Sequence, residues 1–170
     1  MKRGLGCVSA IFAIVFLAFP TSVIGQQKPL QAQLVGTWTL VSFENTAPDG
    51  TKRHLFGVNP KGAIVFEGNG RYVQVQVRAD RPKFKANNRL EGTPEENKAA
   101  LEGAYASIGT WSVDEPNNML IRHIEGSLSF PNEEGRETKW PIAISGDELK
   151  VTIPTAGAGG RTELVLKRSH

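Results

Sequence analysis

The chain has 170 residues, with 20 Lys and Arg against 17 Asp and Glu, three His and a single Cys. That length suits one domain able to bury a core without covalent staples. A lone cysteine excludes an internal disulfide and any cysteine-based metal site.

Residues 1–25 have the three parts of an export signal. Lys2 and Arg3 make a basic start, and Val8 to Phe19 is an apolar run broken only by Ser9. Pro20 ends that run, and Val23 and Gly25 stand at the −3 and −1 places of a cut before Gln26. The run falls short of the roughly 20 apolar residues that span a bilayer, so cleavage is expected rather than a retained anchor. Cys7 leaves with this segment, and so do two of the basic residues. The remainder has 18 basic residues against 17 acidic ones. A near-neutral domain argues against nucleic acid as a partner, which calls for a concentrated basic face. The mature protein is expected in the periplasm or the medium, with no stable membrane span.

A polar leader, Gln26 to Gln33, precedes the first predicted strand, Leu34 to Phe43, which is rich in β-branched and aromatic residues. Asn45 to Gly50 is a turn cluster, and His54 to Val58 a short apolar piece. Ala63–Phe66 and Arg71–Arg78 form a hairpin about Gly68-Asn69-Gly70, where Asn-Gly tolerates the positive φ of a tight turn. Residues 79–92 are polar and read as a loop. Thr93-Pro94-Glu95-Glu96 is a capping box with Pro at the first helical position, predicting a helix to about Ala106. Strand patterns then recur at 108–113, 119–126, 138–145, 148–153 and 162–168, separated by short turns. The sequence thus predicts an all-β domain over 34–168. Its eight antiparallel strands follow an up-and-down path, with one short helix between the third and fourth. Closing such strands into a barrel removes the exposed edges that invite aggregation. Eight strands leave an interior that side chains fill or that holds one small ligand.

Gly36-Thr37-Trp38 on the first strand resembles the Gly-x-Trp of lipocalins, and Arg168 sits where such barrels place a basic residue over that Trp. Gly36 to Phe43, Asn59 to Phe66, Tyr105 before Gly109-Thr110-Trp111, and His123 to Leu128 occur in order. With this set the chain is similar to the bacterial and fungal lipocalin-like domain family over residues 34–168. The resemblance implies a barrel and a pocket, with Gly36, Trp38 and Arg168 structural, and supplies no reaction.

Several residues carry candidate chemistry. Met119, Ile121, His123 and Glu125 share one face of a strand, and the apolar pair points that face inward. A histidine beside a carboxylate can act as a general base near neutral pH. Residues two apart on a strand are separated by roughly 6.6 Å, so His123 and Glu125 are within reach of pairing but not obliged to it. The competing role for His123 is a hydrogen-bonded pocket or rim residue. Tyr72, Gln74, Gln76 and Arg78 oppose Val73, Val75 and Val77; alternation alone puts the valines inside and the glutamines in solvent. The alternative is a polar-lined cavity in which Arg78 receives an acidic ligand group. Phe66, Phe84, Tyr105, Trp111 and Trp140 either line an apolar pocket or fill the core. The candidate ligand contacts are therefore Phe66, Tyr72, Arg78, Tyr105, Trp111, Ile121, His123 and Trp140. His54, His123 and His170 are scattered without metal-ligand spacing, and no cofactor or phosphate loop is expected. Three functions fit these residues. The first is an exported protein binding a small, largely apolar molecule. The second is an isomerase or cyclase with His123, and with Glu125 or Tyr105 assisting. The third is a fully packed interaction module.

Overall fold

The structure, a computed structural model, describes residues 28–170; the expected export signal lies outside the described residues. A short helix, α1 (Leu30–Leu34), leads into strands β1 (Gly36–Thr46), β2 (Lys52–Arg53), β3 (Lys61–Phe66) and β4 (Arg71–Val77). Helix α2 (Pro94–Glu102) follows, then β5 (Ala104–Asp114), β6 (Met119–Ser127), a single 3-10 turn at Pro131–Glu133, β7 (Glu137–Ser145), β8 (Glu148–Ile153) and β9 (Arg161–Arg168). Each long strand pairs antiparallel with the next, and β9 returns to β1, so eight strands close a barrel with β2 appended to β1.

Local chemistry explains the elements. Thr93 Oγ1 accepts the Glu96 N–H at 3.2 Å, and the Glu96 carboxylate accepts the Thr93 N–H at 3.0 Å, so two orphan donors at the start of α2 are satisfied. The helix stops at Glu102, four residues before the end predicted from sequence. Gly103 bonds back to the Ala99 carbonyl. Ala104, Tyr105 and Ala106 then join the ladder opposite Val77, Gln76 and Val75, and the strand pairing overrides the local helix preference of alanine. At the Gly68-Asn69-Gly70 turn, Gly70 takes φ +85°, a value that a side chain strongly disfavours.

The two ends of the barrel differ. The β3–β4, β5–β6 and β7–β8 connections are tight and lie at one end. There Trp38 is fully buried and its indole N–H donates to the Leu34 carbonyl at 2.7 Å. The Arg168 guanidinium lies over the Trp38 ring, 4.2 Å from its centroid. It also donates to the carbonyls of Gln33, at 2.6 Å, and Val35, at 3.2 Å. The Glu115 carboxylate accepts the N–H groups of Leu30 and Gln31, fastening α1 across this end. Phe66 and Trp111 (ring centroids 4.9 Å apart), Leu120, Leu149 and Leu166 fill the space above. The long connections 47–60, 78–103, 128–136 and 154–160 all gather at the opposite end.

Two phase expectations are corrected. On β4 the interior residues are Tyr72, Gln74 and Gln76, while Val73 and Val75 are each 42% exposed on the outer wall. Residues directly opposite on paired strands share a face. Phe66 and Ile64 point inward, so their partners Tyr72 and Gln74 must do the same. On β6 the interior residues are Leu120, Arg122 and Ile124, so His123 and Glu125 are exposed and Ile121 lies on the outer face. Leu120 sits opposite Trp140, and Arg122 opposite Trp111; both tryptophans are buried and fix the phase.

Candidate functional site

The open end of the barrel encloses a cavity of about 430 Å³. Such a volume lies within the range that small-molecule sites occupy. Phe43 from β1, Leu55 and Phe56 from the 47–60 connection, Phe130 from 128–136, Trp140 from β7 and Ile153 from β8 supply apolar walls. Phe43 and Phe56 meet edge to face with centroids 4.9 Å apart, which seats the 47–60 connection over the barrel mouth. Thr155 to Ala158 form one lip. Leu55 and Phe56 thus make the short apolar piece His54–Val58 part of the rim.

The polar groups concentrate toward the barrel interior. Gln74, Gln76, Tyr105, Glu133 and Thr138 line the cavity, and Arg136 stands at its rim. The Tyr105 hydroxyl and the Ser127 hydroxyl both donate to Glu133 Oε1, holding that carboxylate in place. Burial pushes the Tyr105 phenol well above its ordinary value, and donation to Glu133 adds to this, against the opposing charge of Arg122. Tyr105 thus stands as a hydrogen-bond donor to Glu133 at the cavity wall.

Beneath these residues lies Arg122, which is 1% exposed. Its Nη1 donates to Gln74 Oε1 at 2.7 Å, and Gln74 in turn donates to Gln76 Oε1 at 3.1 Å. The guanidinium carbon stands 3.4 Å from the centroid of the Trp140 ring and 5.2 Å from that of Tyr72. Cation–π contact of this kind, removed from water, contributes about 2 kcal/mol. Burial lowers the Arg122 pKa from the usual arginine value, opposed by Tyr72, Tyr105 and Glu133. That usual value is so high that the group stays a cation. Its Nε and Nη2, and the Oγ1 of its cross-strand partner Thr138, are buried without a hydrogen-bond partner among the described residues.

Of the residues singled out from sequence, Tyr105 and Trp140 line the cavity. Tyr72 is buried below it, against Arg122, while Phe66 and Trp111 belong to the packed end. Arg78 does not line this cavity: it grips Asp80 through Nε and Nη2, each at 3.0 Å. Ile121 and His123 face outward, and Glu125 pairs with Arg71 at 2.7 Å on the surface. Proton transfer centred on His123 therefore has no access to a molecule held in this cavity. Phe43, Phe56, Phe130, Glu133, Thr138 and Arg122 were not found from sequence. For Arg122 one signal was available: Leu120, Arg122 and Ile124 form an alternation as regular as that of Met119, Ile121 and His123. Among the described residues no cluster of three or more His, Cys, Asp or Glu side chains is arranged to hold a metal ion, and no helix is long and apolar enough to cross a membrane.

A closed eight-stranded antiparallel barrel, packed at one end and hollow at the other, defines the class. The pattern of the lipocalin-like domain family matches residues 35–168, and the chain belongs to that family. No curated protein matches the chain in sequence. A lipocalin-like barrel of this form suits the binding of a small hydrophobic molecule.

Proposed function

We propose that this is an exported carrier or receptor that holds one small, largely apolar molecule in the open half of its barrel. The observation that carries this reading is the cavity itself. It has aromatic and aliphatic walls, a few convergent polar groups and a rim made of three connections, while the other half of the barrel is solidly packed. Burial of a ligand's apolar surface supplies about 25 cal/mol per Å², so walls of this kind suffice for binding without a covalent step. Export rests on the basic start, short apolar run and small-residue cut site of residues 1–25.

The test is to express the full precursor in a bacterial host, fractionate the cells, and determine the amino terminus of the recovered protein. Native mass spectrometry and solvent extraction of that material then follow, with titration by the neutral fluorophore N-phenyl-1-naphthylamine. A terminus at or near Gln26 and saturable probe binding, weakened by Trp140→Ala, are expected. Uncleaved protein retained in the cytoplasm refutes export. Absence of both a co-purified small molecule and probe binding refutes the pocket.

A further inference from the structure

A row of two buried glutamines ends in a hydrogen-bond donor at the cavity surface. Arg122 is sealed beneath, and its Nη1 donates to Gln74 Oε1 at 2.7 Å. An arginine side chain only donates, so the Gln74 oxygen must face it and the Gln74 amide nitrogen must point onward. Gln74 Nε2 donates in turn to Gln76 Oε1 at 3.1 Å. The cation thus fixes both amide orientations and leaves Gln76 Nε2 at the end of the row. Gln76 is 4% exposed and lines the cavity. Its Nε2 donates to no protein group among the described residues, yet it is not one of the sealed unpaired atoms, so it opens on the cavity. Each bond in such a row polarises the next, and a cation at the head makes the last N–H a stronger donor.

The rest of the lining offers this donor no partner and an ionised head group no surplus charge. Gln76 stands opposite Tyr105 in the ladder, and the Tyr105 hydroxyl is spent on Glu133. Glu133 and Arg136 are the charged side chains of the lining among the described residues, and their charges cancel. An ion entering from water would lose its solvation there without a counter-charge. An unmatched buried N–H is itself costly, and a neutral acceptor oxygen on a bound molecule relieves that cost.

We propose that the bound molecule is neutral and carries a carbonyl oxygen on its apolar body, and that this oxygen accepts from Gln76 Nε2. The inference rests on the pocket reading and deepens it. The aromatic walls take the body, and the amide row receives the carbonyl of a ketone, ester or amide.

The experiment uses the processed protein and displacement of N-phenyl-1-naphthylamine by three compounds at neutral pH and fixed salt. These are valerophenone, pentylbenzene, in which a methylene replaces the carbonyl, and phenylvalerate. The quantity read is the ratio of ketone to hydrocarbon affinity, in which the shared apolar contacts cancel. It is measured in the parent and in two variants. Gln76→Glu keeps an oxygen for Gln74 to donate to and replaces the free amide nitrogen by a second oxygen; Gln76→Met removes both polar atoms. Loss of one buried hydrogen bond is expected to lower the ratio about tenfold in each variant. Phenylvalerate is expected to bind the parent about tenfold or more weakly than the ketone. The carbonyl stretch of valerophenone bound to the parent should lie at lower frequency than in hexane, a readout that needs no variant. An unchanged ratio in a folded variant, or an unshifted stretch, overturns the role of Gln76. Acid that binds the parent as tightly as the ketone overturns the neutral head group. Probe binding without displacement by the ketone overturns the carbonyl and leaves the pocket standing. If the probe and all three compounds fail to bind, the pocket reading itself falls.

Discussion

Replacing Arg168 by Ala tests how the closed end is held. In the intact protein its guanidinium, 24% exposed at the side chain, lies 4.2 Å from the Trp38 ring centroid and donates to two carbonyls of the segment that carries α1. A partly desolvated cation–π contact contributes about 1 kcal/mol, and two charged-donor hydrogen bonds about 1 kcal/mol each, because water reaches the freed carbonyls. The loss of about 3 kcal/mol lowers Tm by roughly 10 °C in a domain of this size. Arg168→Lys keeps the charge but cannot lie flat on the indole and span both carbonyls, so it is expected to recover about one third of the loss. Arg161→Ala breaks a wholly exposed pair with Glu163 and should change stability by less than about 0.5 kcal/mol. Urea titrations and thermal melts of the four proteins measure these differences, and probe binding at the far end should be unchanged. An Arg168→Ala loss below about 1 kcal/mol, or full rescue by Lys, would refute the assignment of the closed end to this contact.

Three further outcomes follow from individual residues. Gly109→Ala drives a new Cβ into the backbone carbonyl of His123 across the β5–β6 bulge, where neither strand can yield. A loss of about 3 kcal/mol or more is expected, read as a lowered urea midpoint or as insoluble protein. His123→Ala alters an exposed outer-wall residue, so stability should move by less than about 0.5 kcal/mol and probe affinity not at all; a large fall in affinity would restore His123 to the site. Glu96 accepts backbone N–H groups from Thr93 and Lys85, in that order of effect, and these hold its carboxyl below the ordinary value. A depressed carboxyl stabilises the fold above its unfolded pKa, and that contribution disappears as pH falls through the folded value. Melting curves of Glu96→Gln and the parent should therefore differ at pH 7 and converge in acid; a constant gap across pH would contradict the capping role.

The eight barrel strands and the capped helix were legible in the sequence because their determinants are local. Alternation marks the strands, Asn-Gly and Gly-rich clusters mark the turns, and Thr93 with Glu96 marks the start of α2. The Gly36–Trp38 and Arg168 pattern was legible for the same reason, since a strand's period fixes which neighbours share a face. The facing of β4 and β6 was not. On β4 a run of valines on one side and Tyr72, Gln74 and Gln76 on the other reads naturally as core and solvent. On β6 the two phases are nearly equal in apolar character. Only the pairing of Tyr72 with Phe66, of Leu120 with Trp140 and of Arg122 with Trp111 decides which face turns inward. The outer wall tolerates exposed valines because β-branched side chains suit a pleated surface even when half wet. The end of α2 at Glu102 was likewise set from outside, by the pull of residues 104–106 into the ladder with β4. The cavity was the least legible feature of all. Phe56, the Phe130–Glu133 turn and Arg122 come from two separate connections and a strand, and no spacing in the chain records that closure brings them together.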